Sequence, residues 1–151
     1  AYNSLQTLAR PQETHQKALP KLSAEEFLAK NHYLILRRRQ LAELHNFSMR
    51  KIILRRQKTL WGSCSAQNNI SLNANLVFLK DELIDYVILH ELVHTKVKNH
   101  SRKFWDELEK VLPNSRMLNH ELKNIRIRQD QCPQPSLSGL ARQPKYNQLP
   151  F

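Results

Sequence analysis

The sequence is poor in cysteine, glycine and acidic side chains. Of its 151 residues, 2 are cysteine, 2 are glycine and 13 are Asp or Glu, against 24 Lys or Arg. Two cysteines without a CxxC pair give no indication of a cysteine-based zinc site, and they favour free thiols. Two glycines exclude a collagen-like structure and argue against a glycine-rich phosphate-binding loop.

Long apolar runs are also absent from the sequence. It contains no stretch of about 18 apolar residues, which is the length that a membrane-spanning helix needs. The first residues, AYNSLQTLARPQETHQ, lack the apolar core of a secretory signal. We therefore expect a cytoplasmic protein, and the hydrophobic fraction of 40% allows one domain with one packed core.

Positive charge dominates what is present. The formal net charge is +11, and basic residues cluster at 37–39 and 50–58. Such a field attracts polyanions, which include nucleic acid, nucleotides and acidic proteins. No nucleic-acid-binding motif accompanies the charge, so a solvated basic surface without a partner is the competing interpretation.

The pattern of the chain predicts three parts. Residues 1–20 are polar, contain Pro11 and Pro20, and are typical of an irregular lead-in. Residues 21–128 carry the periodic apolar positions of a folded domain. Residues 129–151 contain four prolines and form a tail, interpreted either as a disordered end or as a latency segment folded over the cleft.

Within the domain the pattern predicts a mixture of helices and short strands. A capping box of Ser23 and Glu26 begins a helix over 24–45. A strand is predicted at 49–58, a turn at LWGSC and a half-buried strand in NISLNANLVFL, with AQNN as a hairpin connection. Three more helices are predicted: over 82–97 with Asp81 as its cap, after Ser101, and after Ser115.

The stretch HELVH carries the strongest chemical signal. Residues four apart on a helix project from the same face, so His90 and His94 can reach one point as zinc ligands. Glu91 lies beside that face, where a carboxylate can deprotonate a metal-activated water. The helix is apolar around most of its circumference, and buried imidazoles are costly unless something binds them.

A third ligand would complete a catalytic metal site. His100 lies six residues after His94, the outer spacing of the HExxHxxGxxH motif, but Val97 occupies the position of its Gly. Because Val disfavours positive φ, we expect Asn99 to supply the left-handed conformation of the corner. The alternative ligands are the acids of the next helix, Asp106, Glu107 and Glu109.

Four blocks then show a family resemblance. QKTLWGSCS, NISLNANLVF, IDYVILHELVH and NHSRKFW occur in the order found in the YgjP-like metal-dependent hydrolases, which are related to the SprT-like and WLM zinc metallopeptidases. The resemblance is strong over residues 49–112. It implies an α+β, minimal zincin-like fold, with a small antiparallel sheet packed on helices that include the HExxH helix. It also implies Zn2+ held by His90, His94 and His100, with Glu91 as general base.

One position departs from that family. Leu60 stands where Arg commonly precedes the Trp-Gly-Ser block, which puts a substrate contact in doubt but not the metal site. Trp61 is interpreted as a core residue, with a platform in the cleft as the alternative. Cys64 is interpreted as a small buried thiol, with a fourth, inhibitory zinc ligand as the alternative.

Three functions are compatible with these residues. The first is a zinc-dependent, metallopeptidase-like hydrolase that binds an extended peptide along the NISLNANL strand and approaches nucleic acid through its basic surface. The second is a nucleoside triphosphate pyrophosphatase that uses the same metal site. The third is a basic adaptor with a vestigial metal site, although an intact Glu91 argues against it. Candidate substrate-binding residues are Ser63, Asn73 and Arg55.

Overall fold

A computed structural model describes residues 21–128. Four α-helices, three strands and one 3-10 helix make up this part of the chain. In chain order they are α1 (Ala24–Leu44), β1 (Lys51–Arg55), β2 (Gly62–Cys64), β3 (Asn69–Asn73), the 3-10 helix (Ala74–Phe78), α2 (Asp81–Val93), α3 (Arg102–Val111) and α4 (Ser115–Lys123). The α+β class is therefore confirmed, whereas the predicted lead-in and tail lie outside the described residues.

Helix α1 begins at the predicted capping box. The Glu26 amide donates to Ser23 Oγ at 3.1 Å, and the Ser23 amide donates to Glu26 Oε2 at 2.9 Å. Each side chain thus satisfies an amide that the first turn leaves without a helical partner. Phe27, Leu34 and Leu41 recur at helical spacing and are buried, so one stripe of α1 faces the core.

The sheet is mixed rather than antiparallel throughout. Its strand order is β1-β3-β2, with β1 parallel to β3 and β2 antiparallel to β3. The central strand is the one with buried apolar residues, Ile70 and Leu72, each 1% exposed. Strand β1 carries exposed Lys51 and Arg55 at its ends, and charged side chains are favoured on an edge strand. The antiparallel expectation therefore holds for the β2–β3 hairpin alone.

Two local predictions in this region are wrong, and both concern strand pairing. The LWGSC block is not a turn, because Gly62–Cys64 forms β2 and the chain reverses after it, where Asn68 has φ 62°. The NISLNANL strand is not free to receive an extended peptide. Its strand β3 is central and already paired on both sides, so its backbone groups are used inside the sheet.

Helix α2 occupies the middle of the core. Nine of its residues are buried, and it packs against α1, α3, α4 and the sheet. It begins at Asp81 with Lys80 in the cap position, and it ends at Val93, four residues earlier than predicted. Trp61 and Cys64 are half-buried and pack against the same core. No helix among residues 21–128 is both long and apolar enough to cross a membrane.

Candidate metal centre

Of the two histidines of HELVH, His90 lies in the last turn of α2 and His94 follows the helix as its C-cap, and their rings come together as the spacing predicts. Their ring centroids are 4.9 Å apart. His94 is buried, whereas His90 is partly exposed. A helix that is apolar on nearly every side is packed tightly by its neighbours, so the backbone that carries both rings is held in place.

His100 returns to this pair from the corner after α2. Its Nε2 atom lies 3.0 Å from His90 Nε2 and 3.1 Å from His94 Nε2. The corner needs no left-handed residue: the residues with positive φ between 21 and 128 are Asn46, Asn68 and Asn114. The prediction for Asn99 is therefore wrong.

Tight backbone turns make the corner instead. The Thr95 amide donates to the Leu92 carbonyl at 3.0 Å, and the Lys96 amide donates to the Val93 carbonyl at 2.9 Å. These bonds to the third preceding residue are tighter than α-helical ones. They end the helix with right-handed backbone only, which is why Val97 is accepted where related motifs have Gly.

The other ring nitrogens of two histidines are already engaged. His94 Nδ1 lies 2.9 Å from the Val97 carbonyl oxygen, which can only accept a hydrogen bond. His94 therefore carries its proton on Nδ1 and leaves the Nε2 lone pair directed at the cluster. His90 Nδ1 lies 3.2 Å from the Tyr86 hydroxyl.

One buried phenyl ring supports all three imidazoles. The Phe104 centroid lies 4.8 Å from that of His90, 4.5 Å from that of His94 and 4.8 Å from that of His100. Phe104 is fully buried on α3. The centroid of the neighbouring Trp105 ring lies 6.5 Å from that of His90. The Arg116 guanidinium lies over the Trp105 ring, 4.7 Å from its centroid.

Burial favours the neutral form of two of these imidazoles, those of His90 and His94. Burial, together with the neighbouring His94 and His100 rings, lowers the pKa of His90 to about 3. Burial also lowers the pKa of His94. Neutral rings have the lone pairs that a metal ligand needs.

This donor set fits a zinc ion. Tetrahedral zinc bonds of about 2.0–2.1 Å place neighbouring nitrogens about 3.3 Å apart. The observed separations of 3.0 and 3.1 Å are close to that value. His90, His94 and His100 are also the one group among residues 21–128 whose ligand atoms lie within 4.8 Å of one another.

Glu91 is buried beside Gly62 of β2. A Cβ atom at position 62 would lie 2.8 Å from Glu91 Cγ and 3.0 Å from Glu91 Oε1. The absence of a side chain at Gly62 is therefore what makes room for the carboxyl group. Burial raises the pKa of Glu91 to about 8.

The alternative third ligands have other partners. Glu109 accepts bonds from the Ser115 hydroxyl and from the Asn114 amide at 3.1 Å, and so caps α4. Glu107 pairs with Lys110 at 2.7 Å. Asp106 lies 3.9 Å from Arg102. None of these three acids belongs to the histidine cluster.

Cys64 also lies outside the cluster. Its Sγ atom is 3.7 Å from Lys98 Nζ, and Lys98 in turn donates to the Ser65 carbonyl at 2.8 Å. Burial raises the pKa of the Cys64 thiol. These contacts describe a half-buried thiol at the end of β2, next to the hairpin turn.

The three candidate substrate-binding residues share the other face of the sheet. Ser63 is opposite Ser71, and Arg55 is opposite Asn73, so their side chains project to one side. Gly62, one residue from Ser63, faces Glu91 on the other side. The structure thus brings Ser63, Asn73 and Arg55 to one face but not to the histidines.

Asn73 has a further set of contacts. It is fully buried, and its Nδ2 atom donates to the carbonyls of Gln57 at 2.9 Å and Leu60 at 2.8 Å. Its Oδ1 atom accepts from the Asn75 amide at 3.0 Å. These bonds hold the connection from β1 to β2, and substrate binding by these three residues stays a prediction.

Sequence reasoning missed Tyr86, Phe104 and Gly62 as parts of the site. Tyr86 had a signal, because it precedes His90 by one helical turn. Phe104 belongs to the predicted buried stripe of α3, and nothing in that stripe points to the imidazoles. The contact of Gly62 with Glu91 joins distant parts of the chain and leaves no local pattern.

The HExxH helix, the histidine corner and the small sheet define the class of protein as a metal-dependent hydrolase. Residues 3–125 match the family described as "YgjP-like, metallopeptidase domain", and the chain belongs to that family. No match is found among curated proteins.

Several solved structures have a similar fold, and two of them are metallopeptidase zymogens. The zymogen of Methanocaldococcus jannaschii jannalysin is 30% identical, with a TM-score of 0.50 over 60% of this chain and 91% of that one. The zymogen of Pyrococcus abyssi abylysin is 24% identical, with a TM-score of 0.52 over 59% of this chain and 90% of that one. A Saccharomyces cerevisiae Wss1 mutant is 19% identical, with a TM-score of 0.50 over 67% and 86%. The last two show likeness of fold alone.

Proposed function

We propose that this chain is a zinc-dependent peptidase in which His90, His94 and His100 are the metal ligands. The observation that carries the proposal is the convergence of His90 Nε2 and His94 Nε2 on His100 Nε2, at 3.0 and 3.1 Å, beside the buried Phe104 ring. Neutral imidazoles suit zinc, and three protein ligands leave one position for chemistry. When bound, zinc would supply Lewis-acid activation of water and of the scissile carbonyl group.

Glu91 is the general base in this proposal. Glu91 directly follows His90 in the chain, and burial raises the pKa of its carboxyl group, which makes the carboxylate a stronger base. Its carboxylate takes a proton from the attacking water and delivers it to the leaving amine. Gly62 leaves the space that this carboxyl group occupies.

The open edge of β2 is the proposed place for an extended peptide. Ladder bonds join Trp61 to Asn73 at 2.9 Å and Ser65 to Asn69 at 2.8 Å. Because the hydrogen-bonded pairs of an antiparallel ladder alternate, the peptide groups of Gly62 and Cys64 face away from β3. A substrate strand that pairs with those groups would run directly beside Glu91.

Hydrolysis of a nucleoside triphosphate by the same metal site is the alternative. It requires basic side chains to hold the phosphates, since the chain has 2 glycines and no glycine-rich loop. Arg55 projects from the sheet face opposite to Glu91, which favours the peptidase over the pyrophosphatase. A third option, a basic adaptor with a vestigial metal site, leaves the buried Glu91 without a role.

Charge distribution supports an association with nucleic acid as well. Between Glu43 and Asp81 the chain has no acidic residue and six basic ones: Arg50, Lys51, Arg55, Arg56, Lys58 and Lys80. Strand β1 lies at the sheet edge and exposes Lys51 and Arg55. We expect Lys51→Glu with Arg55→Glu to weaken binding of a DNA oligonucleotide at least about tenfold at low salt, with Lys123→Glu as control. Equal binding by both variants would contradict the proposal that this surface binds nucleic acid.

The experiment that tests the catalytic proposal compares two glutamates of α2. Wild type, Glu91→Gln and Glu82→Gln are loaded with zinc and offered casein and a panel of nucleoside triphosphates. Glu82 is exposed, so Glu82→Gln controls for the loss of one negative charge. We expect peptide fragments from wild type and Glu82→Gln only. Pyrophosphate release without peptide cleavage would favour the alternative, and cleavage by Glu91→Gln would contradict the proposed base.

A further inference from the structure

A hydrogen-bonded chain joins α4 to the first histidine of the cluster. The Tyr86 hydroxyl lies 3.2 Å from His90 Nδ1 and 3.0 Å from Asn119 Oδ1. Tyr86 is 2% exposed and precedes His90 by one helical turn. Asn119 is on α4, a helix that supplies none of the clustered histidines.

The direction of the two bonds follows from the protons available. Asn119 Oδ1 is a carbonyl oxygen and can only accept, so the single proton of the Tyr86 hydroxyl is donated to it. The Tyr86 oxygen then accepts, and the His90 proton must be on Nδ1. His90 Nε2 consequently has a free lone pair, and that atom is the one that lies 3.0 Å from His100 Nε2.

Helix α4 is itself held firmly against this chain of bonds. Glu109 of α3 accepts from the Asn114 amide at 3.1 Å and from the Arg116 amide at 3.2 Å, which fixes the first turn of α4. Lys80, immediately before α2, pairs with Glu121 at 2.8 Å. The location of Asn119 relative to α2 is thus set from both sides.

We infer that Tyr86 and Asn119 are positioning residues that select the Nδ1-protonated tautomer of His90 and thereby increase metal affinity. The inference rests on the proposed function only in taking His90 as a metal ligand. Groups that bond the second nitrogen of a ligand histidine typically contribute about 10–100-fold to metal affinity. Through Asn119, helix α4 would then contribute to metal affinity although it carries no metal ligand.

A purely structural role makes a different prediction. A buried tyrosine hydroxyl needs a hydrogen-bond partner in any protein, and its loss costs stability. If Tyr86 served only that purpose, its removal would lower the free energy of unfolding and leave zinc affinity and the His90 tautomer unchanged. The two roles are therefore separated by measurements on the metal site.

The test compares Tyr86→Phe with Tyr33→Phe, which removes the hydroxyl of an exposed tyrosine on α1. Zinc affinity is measured by competition with a chromophoric chelator, and the tautomers of the zinc-free protein by 15N NMR of the imidazoles. We expect Tyr86→Phe to bind zinc about 10–100-fold more weakly and to show more Nε2-protonated His90. Tyr33→Phe should match wild type in both. Affinity within twofold of wild type with an unchanged tautomer would overturn the inference.

Variants at Asn119 keep the test open if Tyr86→Phe does not fold. Asn119→Ala removes the acceptor, whereas Asn119→Asp retains an oxygen for the Tyr86 proton. We expect Asn119→Ala to lose affinity and Asn119→Asp to restore it, and equal affinity for the alanine variant and wild type would refute the role. If wild type and His90→Ala bound zinc equally, the proposed ligand set would fail instead, which is a distinguishable result.

Discussion

Gly62 and Glu91 are in direct contact, with space between them for no more than the hydrogen of glycine. A Cβ atom at position 62 would lie 2.8 Å from Glu91 Cγ and 3.2 Å from Glu91 Cδ. We therefore expect Gly62→Ala to displace the carboxyl group, to reduce peptide cleavage at least about tenfold, and to cost about 1–3 kcal/mol from overpacking. Activity and zinc content are measured together.

The neighbouring residue supplies the control for that experiment. Ser63→Ala changes a side chain on the opposite face of the sheet, so activity should stay close to wild type. A large loss in Ser63→Ala would instead support the substrate-binding prediction for Ser63. Wild-type activity in Gly62→Ala would show that Glu91 tolerates the intrusion.

The stability of the metal-free protein should depend on pH through Glu91. Its pKa is about 8 in the fold and near 4.5 when exposed. A raised pKa in the folded state means stability that is full below pH 4.5 and is lost as the pH rises through 8. Glu91→Gln should consequently be more stable than wild type above pH 8, by on the order of 5 kcal/mol, with the advantage shrinking towards acid pH.

Urea unfolding of the two zinc-free proteins across this pH range measures that difference. Glu82→Gln, which alters an exposed carboxylate on the same helix, should show no comparable trend. A Glu91→Gln advantage that was constant with pH would have a cause other than ionisation. An advantage that grew towards acid pH would be incompatible with a raised pKa for Glu91.

Removal of His100 should separate metal binding from folding. The residue is exposed, so His100→Ala should leave the zinc-free protein about as stable as wild type. Its zinc affinity should fall more than about 100-fold, since a lost ligand costs more than a lost outer partner. Zinc content after gel filtration and the zinc-induced shift in melting temperature measure this, with His120→Ala as control. Full zinc retention by His100→Ala would show that another side chain is the third metal ligand.

Asn73 offers a test between two roles. Its buried amide makes three hydrogen bonds to the backbone, so Asn73→Ala should cost about 2–4 kcal/mol of unfolding free energy while zinc affinity stays the same. Urea denaturation checks the first expectation and chelator competition the second. Unchanged stability with a raised KM would instead support the substrate-binding prediction.

The histidine site could be predicted from the sequence because its main signals are local. Helical geometry fixes the approach of His90 and His94, which are four residues apart, and only six residues separate His94 from His100. The C-terminal end of α2 was predicted less accurately than the histidine site. Helix α2 ends at Val93 because the next amides bond to the third preceding carbonyl, and no residue with positive φ is involved. Such bonds have no recognisable signature in the sequence.

The sheet was harder to predict for a physical reason. Strand order depends on contacts between residues far apart in the chain, and the pattern of β3 fits a central or an edge strand equally well until its neighbours are known. The three-residue strand β2 is too short to show alternation. The wrong predictions for the LWGSC block and for the NISLNANL strand both concern pairing between strands, where local propensity has the least influence.

Phe104 touches each imidazole of the trio, so none of the three can rotate without disturbing the same aromatic ring. A preorganised site of this kind requires little rearrangement of the fold when a metal ion binds or dissociates. We expect the empty and loaded forms to share one backbone, and cobalt or manganese to replace zinc without passing through an unfolded chain. Metal exchange in this protein would then be a matter of supply and relative affinity.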